Sequence, residues 1–205
     1  MPKAQIMNEL TESNANQIAD ALEGEGYIVF DEILSKDLNE SLYERVANLD
    51  NLNEANIGRG AQRQKVKSIR SDRTLWLEGE EESEKAYLSW MESLREAMNQ
   101  ELYMGLADYE AHFAHYGQGA FYKKHVDVLR GSNKRLLTTV FYLTPNWKEG
   151  DGGELLIYDK EGEKVIEQVP PRMGTMVIFL SDTFPHEVLP SNKDRYSIAG
   201  WFRSP

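Results

Sequence analysis

The chain has 205 residues, of which 40% are hydrophobic and 28% charged, and it carries a formal net charge of -11 and no cysteine. That length supports one domain with a real core, and the balance is that of an ordinary soluble protein. The negative charge opposes generic binding to nucleic acid or to anionic membranes, and the lack of cysteine excludes disulfides, thiolate metal sites and cysteine catalysis. No leader and no long apolar segment is readable near Met1, so a cytoplasmic location without membrane association is expected.

In chain order, Ile18, Ala19 and Leu22 fall at helical spacing between Asn16 and Glu23, and Gly24 and Gly26 end that helix. Tyr27 to Phe30 reads as a short strand. Ser35 is placed to cap a second helix, with Leu38, Leu42, Val46 and Leu49 in one apolar stripe. Residues 51–68 are polar and rich in glycine and basic side chains, among them Gly58, Arg59, Gly60, Arg63, Lys65 and Lys67, with Arg70 just beyond. Such a stretch is an exposed loop or hairpin, or a flap that meets a substrate. It is no phosphate loop, because it lacks that motif's spacing and its lysine-serine pair. Glu78 to Glu84 predicts an acidic surface turn, followed by a supporting helix with Tyr87, Met91, Leu94, Met98 and Leu102 on one face. Ala107 to Tyr116 alternates polar and aromatic residues, and its His112 and His115 read as surface or supporting groups rather than ligands.

The densest chemistry begins at Tyr122. Phe121, Tyr122, Val126 and Val128 have strand character, and side chains at i and i+2 share a strand face, so His125 and Asp127 are expected to aim at one point. A charged strand end facing solvent has the same pattern. Met176 to Leu180 reads as a core strand, and His186, placed where the chain leaves it, is the candidate third ligand. Two imidazoles and one carboxylate suit non-haem Fe(II) with open positions, or a zinc hydrolase. Arg195 enters an apolar segment, where an unpaired charge is costly; its fork fits a carboxylate, whether of a ligand or of the protein. Arg135 to Leu143 alternates Leu137, Thr139 and Phe141 with Leu136, Thr138, Val140 and Tyr142. Segments 154–158 and 164–169 add short strands, separated like the rest by glycine and proline turns. The pattern predicts a mainly β fold with supporting N-terminal helices, a double-stranded β-helix or jelly roll.

The combination of Tyr122, His125 and Asp127, then Thr139 to Leu143, Asp151 to Leu155, Pro185 to Val188, and Arg195 to Trp201, resembles the iron(II)- and 2-oxoglutarate-dependent dioxygenases. The closer likeness is to the prolyl hydroxylase domain branch, the EGL-nine-type enzymes and their bacterial relatives, and it covers roughly residues 58–202. Ile69, Arg70, Asp72 and Trp76 extend the match. The resemblance implies a single domain over 1–205, with supporting helices and a substrate loop at about 15–105 and the jelly roll at about 107–202. It implies Fe(II) on His125, Asp127 and His186. Arg195 and Tyr142 would grip the distal carboxylate of 2-oxoglutarate. Tyr122, Leu155 and Trp201 would line the cofactor and substrate pockets. Tyr116 matches a second family tyrosine only with a one-residue gap.

Gly58, Arg59, Gly60, Arg63, Arg70, Asp72 and Trp76 correspond to the substrate-covering loop, with Trp76 bracing its return limb or lying in the core. Lys134 or Arg135 would anchor the Asp127 side. The implied reaction consumes O2, releases succinate and CO2, leaves room for stimulation by ascorbate, and hydroxylates proline in a protein or peptide. A free amino acid or small metabolite, or a non-catalytic cupin-like module, are the competing readings. A monomer is expected. Ala199 stands where some eukaryotic members carry threonine, so that hydroxyl is absent here.

Overall fold

The computed structural model describes residues 9–49, 52–54, 69–128 and 135–205; Gly58, Arg59, Gly60, Arg63 and Lys134 lie outside them. Three helices precede most of the sheet. Helix α1 (Glu12–Gly24) is capped by Thr11, whose side chain accepts from the Asn14 amide, and α2 (Lys36–Ala47) is capped by Ser35, which accepts from Leu38. Each cap satisfies an amide that has no partner inside its own helix. Helix α3 (Glu82–Leu102) ends at Tyr103 in the left-handed region, and the Asn99 side chain bonds both the amide and the carbonyl of Leu106.

The acidic turn before α3 is only partly on the surface. Glu84 is 2% exposed and accepts from Arg45 Nε at 2.8 Å and from the Glu80 amide at 3.1 Å. Burial of that carboxylate is sustained because a guanidinium from α2 meets it, tying the two helices together.

The strands form two antiparallel sheets. β1 (Tyr27–Phe30), β2 (Asn53–Glu54), β3 (Arg73–Trp76), β4 (Asp108–Tyr116), β6 (Arg135–Tyr142), β9 (Met176–Leu180) and β11 (Arg195–Arg203) make the larger sheet, in the order β1-β9-β6-β11-β4-β3-β2. β5 (Tyr122–His125), β7 (Leu155–Tyr158), β8 (Val165–Val169) and β10 (His186–Val188) make the smaller one, in the order β5-β10-β7-β8.

The centre of the larger sheet is buried on both faces, which explains the unbroken apolar run of β9. Met176 and Ile178 point to the helices, with Leu38, Met91, Leu137 and Phe141; Val177 and Phe179 point to the smaller sheet, with Val140, Tyr142, Leu155 and Ile157. Alternation along one strand thus feeds two cores. The second core, between the sheets, is the one next to the candidate ligands. Two facing antiparallel sheets with helices over one of them is the jelly-roll arrangement that the turn pattern implies. Among the described residues no helix is long and apolar enough to cross a membrane.

Candidate metal centre and cofactor site

Long-range strand pairing builds the centre. β5 and β10 run antiparallel with His125 directly opposite His186, and the two rings lie 4.3 Å apart between centroids. Asp127 does not share the strand with His125 as the i, i+2 pattern expects. β5 ends at His125, and Asp127 lies in the bend that follows, buried at 8% exposure. The bend still returns it to the histidines: the candidate ligand atoms of His125, Asp127 and His186 all lie within 4.8 Å of one another. His125 Nε2 is 3.5 Å from Asp127 Oδ1, and His186 Nε2 is 3.6 Å from Asp127 Oδ2.

The hydrogen bonds behind the rings assign their tautomers. His125 Nδ1 lies 2.8 Å from the Lys123 carbonyl, and His186 Nδ1 lies 3.0 Å from the Phe184 carbonyl. A carbonyl oxygen only accepts, so each Nδ1 carries the hydrogen and each Nε2 presents a lone pair to the centre. Burial pushes the His186 imidazole down to about 4, with Asp127 opposing and His125 reinforcing. Burial by itself would raise the Asp127 carboxyl, but His186, His125 and the Trp201 indole hold it well below the usual carboxylate range. Neutral imidazoles and an ionised carboxylate are the forms that bind a metal.

The ring of Tyr122 stacks on His125 at 3.6 Å and 14°, and the Arg70 guanidinium lies 4.4 Å from the same tyrosine. Arg70 and Asp72, expected on a loop that meets substrate, are engaged with each other. Asp72 is 2% exposed and accepts two bonds from Arg70, at 2.8 and 2.5 Å. The pair is bridged to β5 through Arg70 and Tyr122, and it stays closed because a desolvated carboxylate needs the full guanidinium fork. Trp76 is 45% exposed and meets His112 edge-on at 5.3 Å, so it is not a core tryptophan.

Arg195, at the start of β11, is 2% exposed. Its Nε donates to the Gly153 carbonyl at 2.8 Å and one terminal nitrogen donates to Ser197 Oγ at 3.2 Å. A Cβ on Gly153 would come within 2.9 Å of Arg195 Cδ, so this close approach requires glycine. No acidic side chain pairs with Arg195 among the described residues. Its guanidinium lies 4.6 Å from the ring of Tyr116 and 5.0 Å from that of Tyr142. The Tyr142 hydroxyl is buried without a hydrogen-bond partner. Burial pushes it up to about 12, with Arg195 pulling the other way. A buried guanidinium without an acidic partner among the described residues, beside an unpartnered hydroxyl, is suited to receive an anion. Leu155 belongs to the same core cluster as Tyr116 and Tyr142, and Phe179 of that cluster sits 4.9 Å from His186.

Trp201 does more than wall a pocket: its Nε1 donates to Asp127 Oδ2 at 2.8 Å. Arg135 lies 3.6 Å from the Trp201 ring and pairs with Glu110, so it braces Asp127 through the indole. Sequence reasoning did not find Thr138, which donates to Asp127 Oδ2 at 2.8 Å, nor Ser197 and Gly153 against Arg195. The alternation along β6, with Thr138 on the side of Val140 and Tyr142, held the signal for Thr138.

The description "2OG-Fe(II) oxygenase superfamily" matches residues 111–203. Human "Prolyl hydroxylase EGLN3" is 30% identical over 98% of this chain and 89% of its own length. The chain belongs to the 2OG-Fe(II) oxygenase superfamily. Human "Egl nine homolog 1" is also 30% identical, over 86% of the oxygenase chain, which spans 43% of that longer relative. Among solved structures, a Pseudomonas putida prolyl-4-hydroxylase is 36% identical, with a TM-score of 0.83 over 93% of the oxygenase and 99% of its own chain. A Trichoplax adhaerens prolyl hydroxylase, solved with a hypoxia inducible factor peptide fragment, is 28% identical with a TM-score of 0.83 over 94% and 90%. The cofactors of this superfamily are Fe(II) and 2-oxoglutarate, and both fit: the triad offers nitrogen and oxygen donors in their deprotonated forms, and Arg195 with Tyr142 offers a buried carboxylate receptor.

Proposed function

We propose that this oxygenase hydroxylates a prolyl residue in a protein or peptide, as one domain of supporting helices and jelly-roll core. The observation that carries the chemistry is the pair of adjoining features: a two-histidine, one-carboxylate centre, and a buried anion receptor whose tyrosine hydroxyl is unpartnered. His125, Asp127 and His186 would hold Fe(II), and Arg195 and Tyr142 the far carboxylate of the keto acid, by charge-assisted bonds. When bound, iron and keto acid supply oxidative decarboxylation to succinate and CO2, with transfer of one oxygen atom from O2 to the substrate.

The chain's own residues orient and exclude. The Lys123 and Phe184 carbonyls fix the imidazoles, Trp201 fixes the carboxylate, and Leu155 with Tyr116 keeps the receptor apolar. Tyr122 stacks on the partly exposed His125 and would meet the incoming substrate. The prolyl substrate and hydroxylation at its 4 position are supported by the likeness to relatives named prolyl hydroxylase and prolyl-4-hydroxylase. The loop at 58–65 with Arg59 and Arg63 would contact the peptide, while Arg70 and Asp72 anchor its return. A cytoplasmic location fits the lack of cysteine.

Incubation of the purified chain with Fe(II), 2-oxoglutarate and proline-containing peptides or lysate protein tests this. A one-oxygen mass gain mapped to proline is expected, and it should fall sharply when residues 60–65 are deleted. Efficient turnover of free proline, with no modified protein and no effect of the deletion, would favour the small-molecule reading.

A further inference from the structure

Two hydroxyls that no motif marks stand behind the candidate metal centre. Thr138 is 1% exposed and Ser181 is fully buried. Thr138 Oγ1 lies 2.8 Å from Asp127 Oδ2 and 2.9 Å from Ser181 Oγ. Proton counting gives this pair a direction. A threonine hydroxyl has one hydrogen, and an ionised carboxylate can only accept, so that hydrogen goes to Asp127. Ser181 must therefore donate to Thr138, and the chain runs Ser181 to Thr138 to Asp127.

The backbone holds each member in place. Thr138 is paired across β6 and β11 with Trp201, the other donor to Asp127 Oδ2. The Ser181 amide donates to the Leu136 carbonyl at 3.0 Å, which pins the turn after β9 to β6. Two neighbouring cross-strand residues thus spend their donors on one carboxylate oxygen. Oδ1 lies 3.5 Å from His125 Nε2 and Oδ2 lies 3.6 Å from His186 Nε2, so both oxygens border the centre, but two donors already occupy the lone pairs of Oδ2 and none occupies those of Oδ1 among the described residues. A β-branched side chain on a strand has few rotamers, so Thr138 offers its hydroxyl in a fixed direction.

We infer that Thr138, oriented by Ser181, is a positioning residue for the metal centre: with Trp201 it commits Asp127 Oδ2 and leaves Oδ1 as the oxygen free to bind the metal. A carboxylate so tethered cannot swing to chelate through both oxygens, which keeps a coordination position for the keto acid or O2. The inference rests on the reading of His125, Asp127 and His186 as a metal site, and it concerns residues that this reading does not name.

The test is titration of the metal-stripped full chain with Co(II), reading affinity and the visible absorption of the bound ion, with melting curves of the apoproteins alongside. Thr138→Val keeps the shape and removes the donor. It should weaken Co(II) binding by about 10-fold or more and change the absorption band. Thr138→Ser should restore both to within about threefold of the parent, and Ser181→Ala should fall between. A purely structural threonine would alter the melting curve and leave the Co(II) band of the folded fraction unchanged. If Thr138→Val does not fold, Ser181→Ala against Thr138→Ser carries the same comparison. Parental affinity and spectrum in both Thr138→Val and Ser181→Ala would overturn the inference while leaving the metal site intact. Failure of the parent itself to bind Co(II) would overturn the metal site, and the inference with it.

Discussion

The Arg195 guanidinium lies 5.0 Å from the ring of Tyr142, whose buried hydroxyl has no hydrogen-bond partner. A protein rarely leaves such a group unsatisfied without a function for it. Arg195→Ala should therefore raise the 2-oxoglutarate requirement steeply, by a loss on the order of 2–5 kcal/mol. Tyr142→Phe removes one neutral donor to an anion and should cost about 1–2 kcal/mol. Succinate release against keto-acid concentration measures both. Saturation of the Arg195 variant at the parent's concentration would make the arginine structural.

Asp127 joins the two imidazoles to the two donors behind it, Thr138 and Trp201. Asp127→Ala should abolish turnover and stoichiometric Fe(II) binding, and it should also leave those donors facing an apolar void. A stability loss of about 1–3 kcal/mol is expected in the metal-free protein. Metal titration and denaturant unfolding of the same preparation separate the two effects. Normal turnover by this variant would remove Asp127 from the ligand set.

Acid should destabilise the metal-free protein through two histidines. Burial is the main cause that pushes His112 and His186 down to about 4 from the usual 6.5. A histidine kept neutral by folding contributes stability that is complete above the unfolded value near 6.5 and is lost as pH falls toward about 4. The loss reaches roughly 3 kcal/mol per histidine at the low end of that window. His112→Asn should flatten the fall in melting temperature between about pH 7 and about pH 5. An unchanged slope would mean that His112 takes up its proton in the folded state.

Gly200 faces Tyr109 so closely that a Cβ there would lie 2.1 Å from the tyrosine hydroxyl. That hydroxyl is 2.8 Å from Thr139 Oγ1 and 3.2 Å from the Tyr87 hydroxyl. Gly200→Ala should cost about 1–3 kcal/mol by overpacking the middle of β11. Shortening the clash with Tyr109→Phe should recover part of the loss, read as the midpoint of urea unfolding. No recovery would place the clash in the ring itself, whose Cζ would lie 2.4 Å from that Cβ.

The sequence by itself determined the three helices, most of the strands and the two faces of β6, while β2, β3 and the end of β5 before Asp127 were not legible in it. Ser35 as a cap, the stripe on α2 and the two faces of β6 follow from periods of 3.6 and 2, which neighbouring residues encode. It also carried the ligand types, because His186 and Arg195 stand beside apolar strand segments where their polarity is conspicuous and His125 is paired with Asp127 two residues on. Tertiary structure decided what distant segments supply to one another. Asp127 reaches the histidines through a bend rather than along a strand; Glu84 is buried because Arg45 of another helix meets it. Arg70 and Asp72 satisfy each other beside Tyr122. Thr138 and Ser181, ordinary strand and turn residues by their neighbours, were joined to each other and, through Thr138, to Asp127 only when β6, β9 and β11 aligned. Strand register sets such meetings, and it is fixed by the summed packing of two cores rather than by the residues that meet.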